Sequence, residues 1–379
     1  MKNNKYLFFG TLIMGMALVS VLTGCATTVE SGTPPAPDKQ AAQLAADLNT
    51  IKAGSAVVDG AKVTLSGEVQ ITTSLTVPAG VTLDLTADGM KFELQNGAEL
   101  TVNGTVNASG HGNHGSGWVE GGLRIGNGTT VINGSGTINL KSKGLLLGPG
   151  QGSKLTLDGV TLVGLKDNDM SLVGVGEGGE LVLKSGAITG NTRIRERWTG
   201  GGGVTVERGT FTMEGGEISG NSAQSSGDNA GGGGVTVENG VFTMKGGKIS
   251  GNSINGSVGG RGQGGGVAYS GTFTMTGGEI SGNTADSGAG VFPWVGTFTK
   301  SGGTIYGDTD SVHTAGSTEN TAKDGTTHAV GLGDGKVRSL TAGPEVKLYA
   351  KKIDDKWTYN DTSAGGIGDT TANWVENGQ

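Results

Sequence analysis

GGGVTVERGTFTMEGGEISGN (Gly201 to Asn221) is followed by GGGVTVENGVFTMKGGKISGN (Gly232 to Asn252) and GGGVAYSGTFTMTGGEISGN (Gly264 to Asn283). A looser copy, GAGVFPWVGTFTKSGGTIYGD, spans Gly288 to Asp308. A unit of about thirty residues stated four times marks a solenoid, propeller or array, because one short repeat buries its apolar face only against its neighbours. Within a copy, Val204 and Val206, Phe211 and Met213, and Ile218 alternate with polar residues, and glycine pairs separate the runs. That pattern predicts three short strands joined by tight turns. No copy holds a ten-residue stretch of helical period, and Val267 to Val291 closes one copy in 24 residues, short of the roughly forty of a propeller blade. An all-β chain wound as a parallel β-helix is the predicted fold.

Ile188, Ile218, Ile249, Ile280 and Ile305 recur at intervals of 30, 31, 31 and 25 residues. The length changes fall between the terminal Asn and the next glycine cluster, so insertions are expected along one edge. Stacking then places Asn191, Asn221, Asn252 and Asn283, with Asp308 as the last rung, at one turn position. There an amide bonds the backbone and its copy above, and tolerates a left-handed conformation. This is a structural asparagine ladder. Glu217, Lys248 and Glu279 are expected to stack outward in alternating sign, with Glu214 beside Lys245.

The 379 residues include 77 glycines, 7 prolines and one cysteine, with a net charge of −7. Glycine recurs at turn positions, which makes it turn chemistry rather than low complexity. No basic stripe interleaved with aromatics exists, which argues against nucleic acid as a partner. A lone cysteine excludes an internal disulfide.

Lys2 and Lys5 precede the apolar run Tyr6 to Val21, short for a membrane span and typical of a signal segment. Leu22-Thr23-Gly24-Cys25 resembles the bacterial lipobox; the resemblance implies cleavage before Cys25, its acylation, and attachment to a membrane. Ala26 stands where aspartate marks inner-membrane retention in enteric bacteria, which points to the outer membrane. The expected organisation is a lipoprotein signal peptide over 1–24, a flexible tether over 25–37 and a capping helix over 38–52. Diverged β-helix coils follow over 53–200, regular repeats over 201–308, and terminal coils with a C-terminal cap over 309–379. In the helix, Asp38 is the expected cap and Ala41, Leu44, Ala45, Leu48 and Ile51 the apolar stripe. At about 25 residues per coil the solenoid holds about ten coils. Near its end His328 to Val330 and Glu345 to Tyr349 are expected strands of the last coils, and Trp357 to Gln379 a polar cap.

The Gly-Gly-Val and ISGN pair is similar to the repeats of chlamydial polymorphic membrane proteins, although Ile218, Ile249 and Ile280 stand where those have Phe. The GTFTM and GGEISGN strings, with Thr341 to Lys351 and Trp357 to Gly366, resemble repeat-bearing surface lipoproteins of spirochaetes and other host-associated bacteria. Over Ala56 to Gln379 the resemblance implies a right-handed parallel β-helix of the pectin-lyase type on the cell surface. It names no reaction. The function this supports is an adhesin-like binding or structural envelope module whose expected partners are a membrane and a host or environmental glycan or matrix protein.

One stretch gathers charge. Aligning Gly164 with Gly190 sets Asp167 near Arg193 and Asp169 near Arg195, and Arg197 and Trp198 follow. These six form the candidate ligand-contact edge, to be read as a salt-bridged loop, a glycan-binding groove, or the site of a polysaccharide lyase or glycoside hydrolase. No catalytic residue, metal ligand or cofactor is assigned; Ca²⁺ enters only under the enzymatic alternative. His111 and His114 are expected in an exposed loop, and Trp118, Trp294 and Trp374 at packed edges. Thr210, Thr212, Thr243, Thr272, Thr274, Thr297 and Thr299 should face outward in ranks, the arrangement by which flat solenoids bind ice.

Overall fold

The computed structural model describes residues 35–113, 118–119, 121–195, 200–225, 230–255, 262–286 and 288–305. It also describes the segments 320–322, 330–331, 340–342, 348–353, 356–361 and 375–376. The expected signal segment, Cys25 and nearly all of the tether lie outside them. No helix among the described residues is long and apolar enough to cross a membrane. The helix and the strands all belong to one compact unit, Ala36–Gln379.

This unit is mostly β, built of short strands that pair in parallel with their counterparts one repeat on. Val204–Glu207 lies beside Val235–Glu238, which lies beside Val267–Tyr269; Thr210–Met213 pairs with Val241–Met244; Glu217–Ser219 pairs with Lys248–Ser250. The pairing keeps equivalent residues opposite one another, so each side chain of the repeat heads a column. Period-two alternation turns every second column inward. Leu155, Leu181, Phe211, Phe242, Phe273 and Phe298 form one such column, completely or almost completely buried. Its phenylalanine rings stack with centroids 4.8, 4.8 and 5.0 Å apart and planes within 16° of parallel. The strand spacing sets that separation, so the sheet itself delivers the ring contact, worth about 0.5–1.5 kcal/mol per pair.

Asn191, Asn221, Asn252 and Asn283 do stack, and they are buried. Asn221 donates its backbone N–H and its Nδ2 to Asn252 Oδ1 at 3.0 and 3.1 Å, and Asn252 does the same to Asn283 at 3.0 and 3.0 Å. The Nδ2 of Asn221, Asn252 and Asn283 also donates to the carbonyl of an isoleucine one repeat back, as Asn252 does to Ile218 at 2.8 Å, whereas that of Asn191 donates to the Met170 and Gly202 carbonyls. Two expectations need correction. The left-handed turn conformation belongs to the preceding glycine, Gly220, Gly251 and Gly282, at φ 62°, 61° and 61°. And the rung after Asn283 is Asn320, not Asp308, which lies outside the described residues: Asn283 donates to Asn320 Oδ1 at 3.0 and 2.8 Å. Asp308 sits at the expected spacing, but an ionised carboxylate supplies no Nδ2 donor for the isoleucine carbonyl.

The outward charge ladder forms as the register dictates. Lys248 lies 2.9 Å from Glu279, and Lys245 lies 3.3 Å from Glu214. Burial pushes the Glu279 carboxyl up, but hydrogen bonds from Ser281 and Lys248 outweigh it and hold the group below its ordinary value. The threonine ranks align too, Thr212 against Thr243, Thr274 and Thr299, with exposed Val241 interrupting the neighbouring rank.

The ends are finished differently from the middle. Pro37–Ile51 is helical and buries Ala41, Leu44, Ala45 and Leu48 beside the first strands. The helix starts earlier than expected because Pro37 presets the first turn; Ala36 is the N-cap residue, and no side chain, Asp38 included, makes the capping bond. Ile51 is 43% exposed, since the chain turns extended at Lys52 and leaves the packed stripe. Ala56–Asp59 pairs antiparallel with Lys62–Leu65. At the far end Val330 pairs in parallel with Val291, but Leu348–Ile353 forms an antiparallel hairpin with Lys356–Asp361 instead of another parallel strand. Lys356–Asp361 in turn lies antiparallel along Val330–Gly331, covering a strand edge that would otherwise present free backbone groups.

Candidate functional site

The edge expected to hold only insertions holds a fourth strand. Thr192–Arg195, Ser222–Ser225, Ser253–Asn255, Thr284–Ala285 and Thr321–Ala322 form their own parallel sheet directly after each ladder asparagine. One column of this arm sheet reads Arg193, Ala223, Ile254, Ala285, all buried, and the last three pack with Ala289 as a small separate apolar cluster. Arg193 is the polar exception.

Arg193 shows what the arm covers. Its Nη1 donates to Ser171 Oγ at 3.1 Å and to Thr205 Oγ1 at 3.5 Å. Thr205 lies between the core residues Val204 and Val206, so it points to the opposite face of their sheet. The column on that outer face runs Gly174, Thr205, Thr236, Ala268, Phe292, and the four residues after Gly174 are buried. Leu147 pairs with Val173, which extends the column back to Gly148. The next outward column begins with Gly150 and Gly176 and continues with Glu207 and Glu238. Where the first two regular repeats carry Thr and Glu, two earlier levels therefore carry four glycines. A Cβ at Gly150 would meet nothing within 4 Å, and one at Gly176 would meet its first neighbour at 3.6 Å.

The missing side chains leave a cleft of about 510 Å³. Gly148, Gly150, Gly174 and Gly176 floor it; Arg124, Arg193, Arg195, His111, Ser171 and Glu207 are among its walls. Among the described residues three arginines and one glutamate line it, on a chain whose net charge is −7. Arg193 is only 8% exposed. Burial, then the neighbouring Arg195, lowers its pKa to about 10, which leaves it cationic at neutral pH. Its Nε and the Nη1 of Arg124 are buried without a hydrogen-bond partner among the described residues. Beside the cleft, burial and the adjacent Glu207 raise Glu238 to about 7, opposed by Arg193.

Of the six residues expected at the contact edge, Arg193 and Arg195 reach the cleft. Asp167 does not: it is exposed and pairs with Lys143 at 3.0 Å. Arg193 registers with Asn168, an offset of 25 residues rather than 26, and that one-residue slip sends Asp167 away. Asp169 does not pair with Arg195 in the register either; its charge reaches Arg193 only as the last of several influences. Arg197 and Trp198 lie outside the described residues, as do His114 and Trp374. His111 is buried, 4% exposed, contrary to the expected open loop, because its backbone bridges to Leu145 at 3.0 and 2.8 Å. Trp294 packs at an edge and donates to Gln263 at 2.7 Å. Among the described residues no three His, Cys, Asp or Glu gather as metal ligands.

No family model matches this chain, and no curated protein and no solved structure matches it.

Proposed function

We propose that this chain is a lipid-anchored right-handed parallel β-helix on a bacterial outer membrane, and that it acts as a binding module whose contact site is the glycine-floored cleft. The observation that carries the binding reading is the cleft itself, a hollow of about 510 Å³ walled by three arginines where the regular repeats have side chains instead. Its volume falls within the roughly 300–1,000 Å³ of small-ligand sites. The helical winding is supported by in-register parallel pairing of successive repeats along three separate strand families. Anchoring is supported by Lys2, Lys5, the apolar run and the lipobox-like Leu22 to Cys25. A glycan or a matrix protein is the partner class, with the anchored chain presenting the cleft outward.

Two measurements test this. Radiolabelled palmitate should enter the full chain and not Cys25→Ser; equal labelling of both would remove the anchor from the reading. Full chain in detergent should bind a subset of a glycan and matrix-protein array, and Gly150→Trp, which fills the cleft without backbone strain, should abolish the signal. An unchanged array profile would sink the cleft as the contact site.

A second reading, a polysaccharide lyase or glycoside hydrolase of the same fold, rests on two carboxylates stacked in register at the cleft, Glu207 in its wall and Glu238 beside it, the latter raised to about 7 by burial and by Glu207. Chain cleavage lost on Glu238→Gln would favour it over pure binding.

A further inference from the structure

The chemistry of the cleft walls narrows what the site takes, on the reading that the cleft binds at all. Arg193 is more than nine-tenths buried and has committed Nη1 to Ser171 and Thr205. Ser171 Oγ in turn donates to the Gly201 carbonyl at 2.6 Å, so the head of the arginine is fixed by a shell that is itself anchored. What remains is the side of the guanidinium bearing Nε, which has no partner among the described residues. A guanidinium presents Nε and the adjacent Nη2 as a planar fork that matches two oxygens of a carboxylate, sulfate or phosphate. Leaving such a donor dry costs about 1–3 kcal/mol, which an incoming oxyanion would recover.

The second unpartnered donor lies on another element. Arg124 projects from the strand Gly122–Ile125, and its buried Nη1 is also without an acceptor among the described residues. Both arginines and Arg195 border the same hollow, and Glu207 is the carboxylate among its described wall residues. A bare anion would meet Glu207 as repulsion. An anion carried on a hydroxylated scaffold would meet it as a hydrogen-bond acceptor.

We propose that the cleft recognises a compact polyhydroxy ligand bearing one oxyanion group, with the fork of Arg193 and the Nη1 of Arg124 holding the oxyanion and Glu207 accepting from a hydroxyl. The three sources of that chemistry are a sugar carboxylate, a sugar sulfate and a sugar phosphate. Calorimetric titration of the full chain in detergent micelles separates them, using glucuronate, N-acetylglucosamine 6-sulfate, glucose 6-phosphate, inorganic phosphate and neutral glucose as probes. At least one acidic sugar should bind about tenfold or more tightly than glucose. Added salt should weaken that binding, and Arg124→Gln should weaken it about tenfold without lowering the melting temperature. Arg193→Lys keeps the charge but loses the fork and should weaken it similarly; if that variant melts early, Arg124→Gln alone carries the test. Inorganic phosphate should compete weakly, lacking the hydroxyls. Glucose binding as tightly as the acidic sugars, with Gly150→Trp still blocking both, would overturn the oxyanion inference and leave the cleft as a binding site. Phosphate binding as tightly as every acidic sugar would overturn the hydroxyl role of Glu207. Binding of no probe would overturn the proposal, and array binding indifferent to Gly150→Trp would overturn the cleft reading beneath it.

Discussion

The same outer sheet face is treated in opposite ways at two levels of the molecule. From Thr205 to Phe292 it carries side chains that are buried, and the arm column accompanying it from Ala223 to Ala285 is apolar. At Gly148 and Gly174 it carries none, and the arm column holds Arg193. The backbone pairing is alike in both places. What separates a closed wall from a cleft is therefore the identity of residues at alternate positions, and a repeat architecture makes a hollow by leaving side chains out.

The largest effect should come from the closed level. Asn252→Ala removes the acceptor for two donors of Asn221 and two donations of its own. Stranding buried polar groups of this kind should cost about 3 kcal/mol or more, read by chemical denaturation. A loss no larger than that of the partly exposed Thr243→Ala would show that the rung does not hold the repeats together.

The comparison can next be broken by making the open level resemble the closed one. Gly174→Thr installs the residue of the regular repeats, and its Cβ would come within 3.0 Å of a Leu145 methyl, which has to shift. The expected outcome is loss of ligand binding at a cost of about 1–2 kcal/mol in stability. Retained binding would mean that the glycine floor is not what forms the site.

Glu238 sharpens the contrast through pH. Its carboxyl is raised from 4.5 to about 7, so between those values the folded chain holds a proton that the unfolded chain has released. Stability therefore falls as pH rises through that window. Glu238→Gln should relieve the loss, raising stability at pH 8 by on the order of 1–2 kcal/mol after discounting for partial exposure, and leaving it unchanged at pH 4. An equal effect at both pH values would place the cause elsewhere. The smallest effect belongs to the solvent face: Lys248→Gln breaks the pair with Glu279 and should cost only about 0.5 kcal/mol, vanishing in high salt.

The repeats are legible in the sequence because their signal is redundant. The alternation of Val204 and Val206, Phe211 and Met213 announces both the strands and their inward faces, and the isoleucine spacing announces the register. The arm strand is not legible in the same way, because Ser222 to Ser225 is short and its inward column mixes a cation, Arg193, with apolar residues of unlike size, Ala223, Ile254 and Ala285. A faint mark is present: Ser or Thr follows every ladder asparagine from Asn191 to Asn320. The cleft leaves a clearer trace. Leu147-Gly148-Pro149-Gly150 and Val173-Gly174-Val175-Gly176 align with Val204-Thr205-Val206-Glu207, with glycine at each outward position. Charge clustering points to Asp167 instead, and a register one residue off turns that side chain toward Lys143.

From Asn221 to Asn283 each ladder amide finds its acceptor on the following copy and its carbonyl partner on the preceding one. A gene that dropped one whole copy between two equivalent asparagines would rejoin like to like, with no polar group orphaned at the seam. The protein's length is thereby open to change by recombination while the cleft, built from the irregular levels, stays as it was.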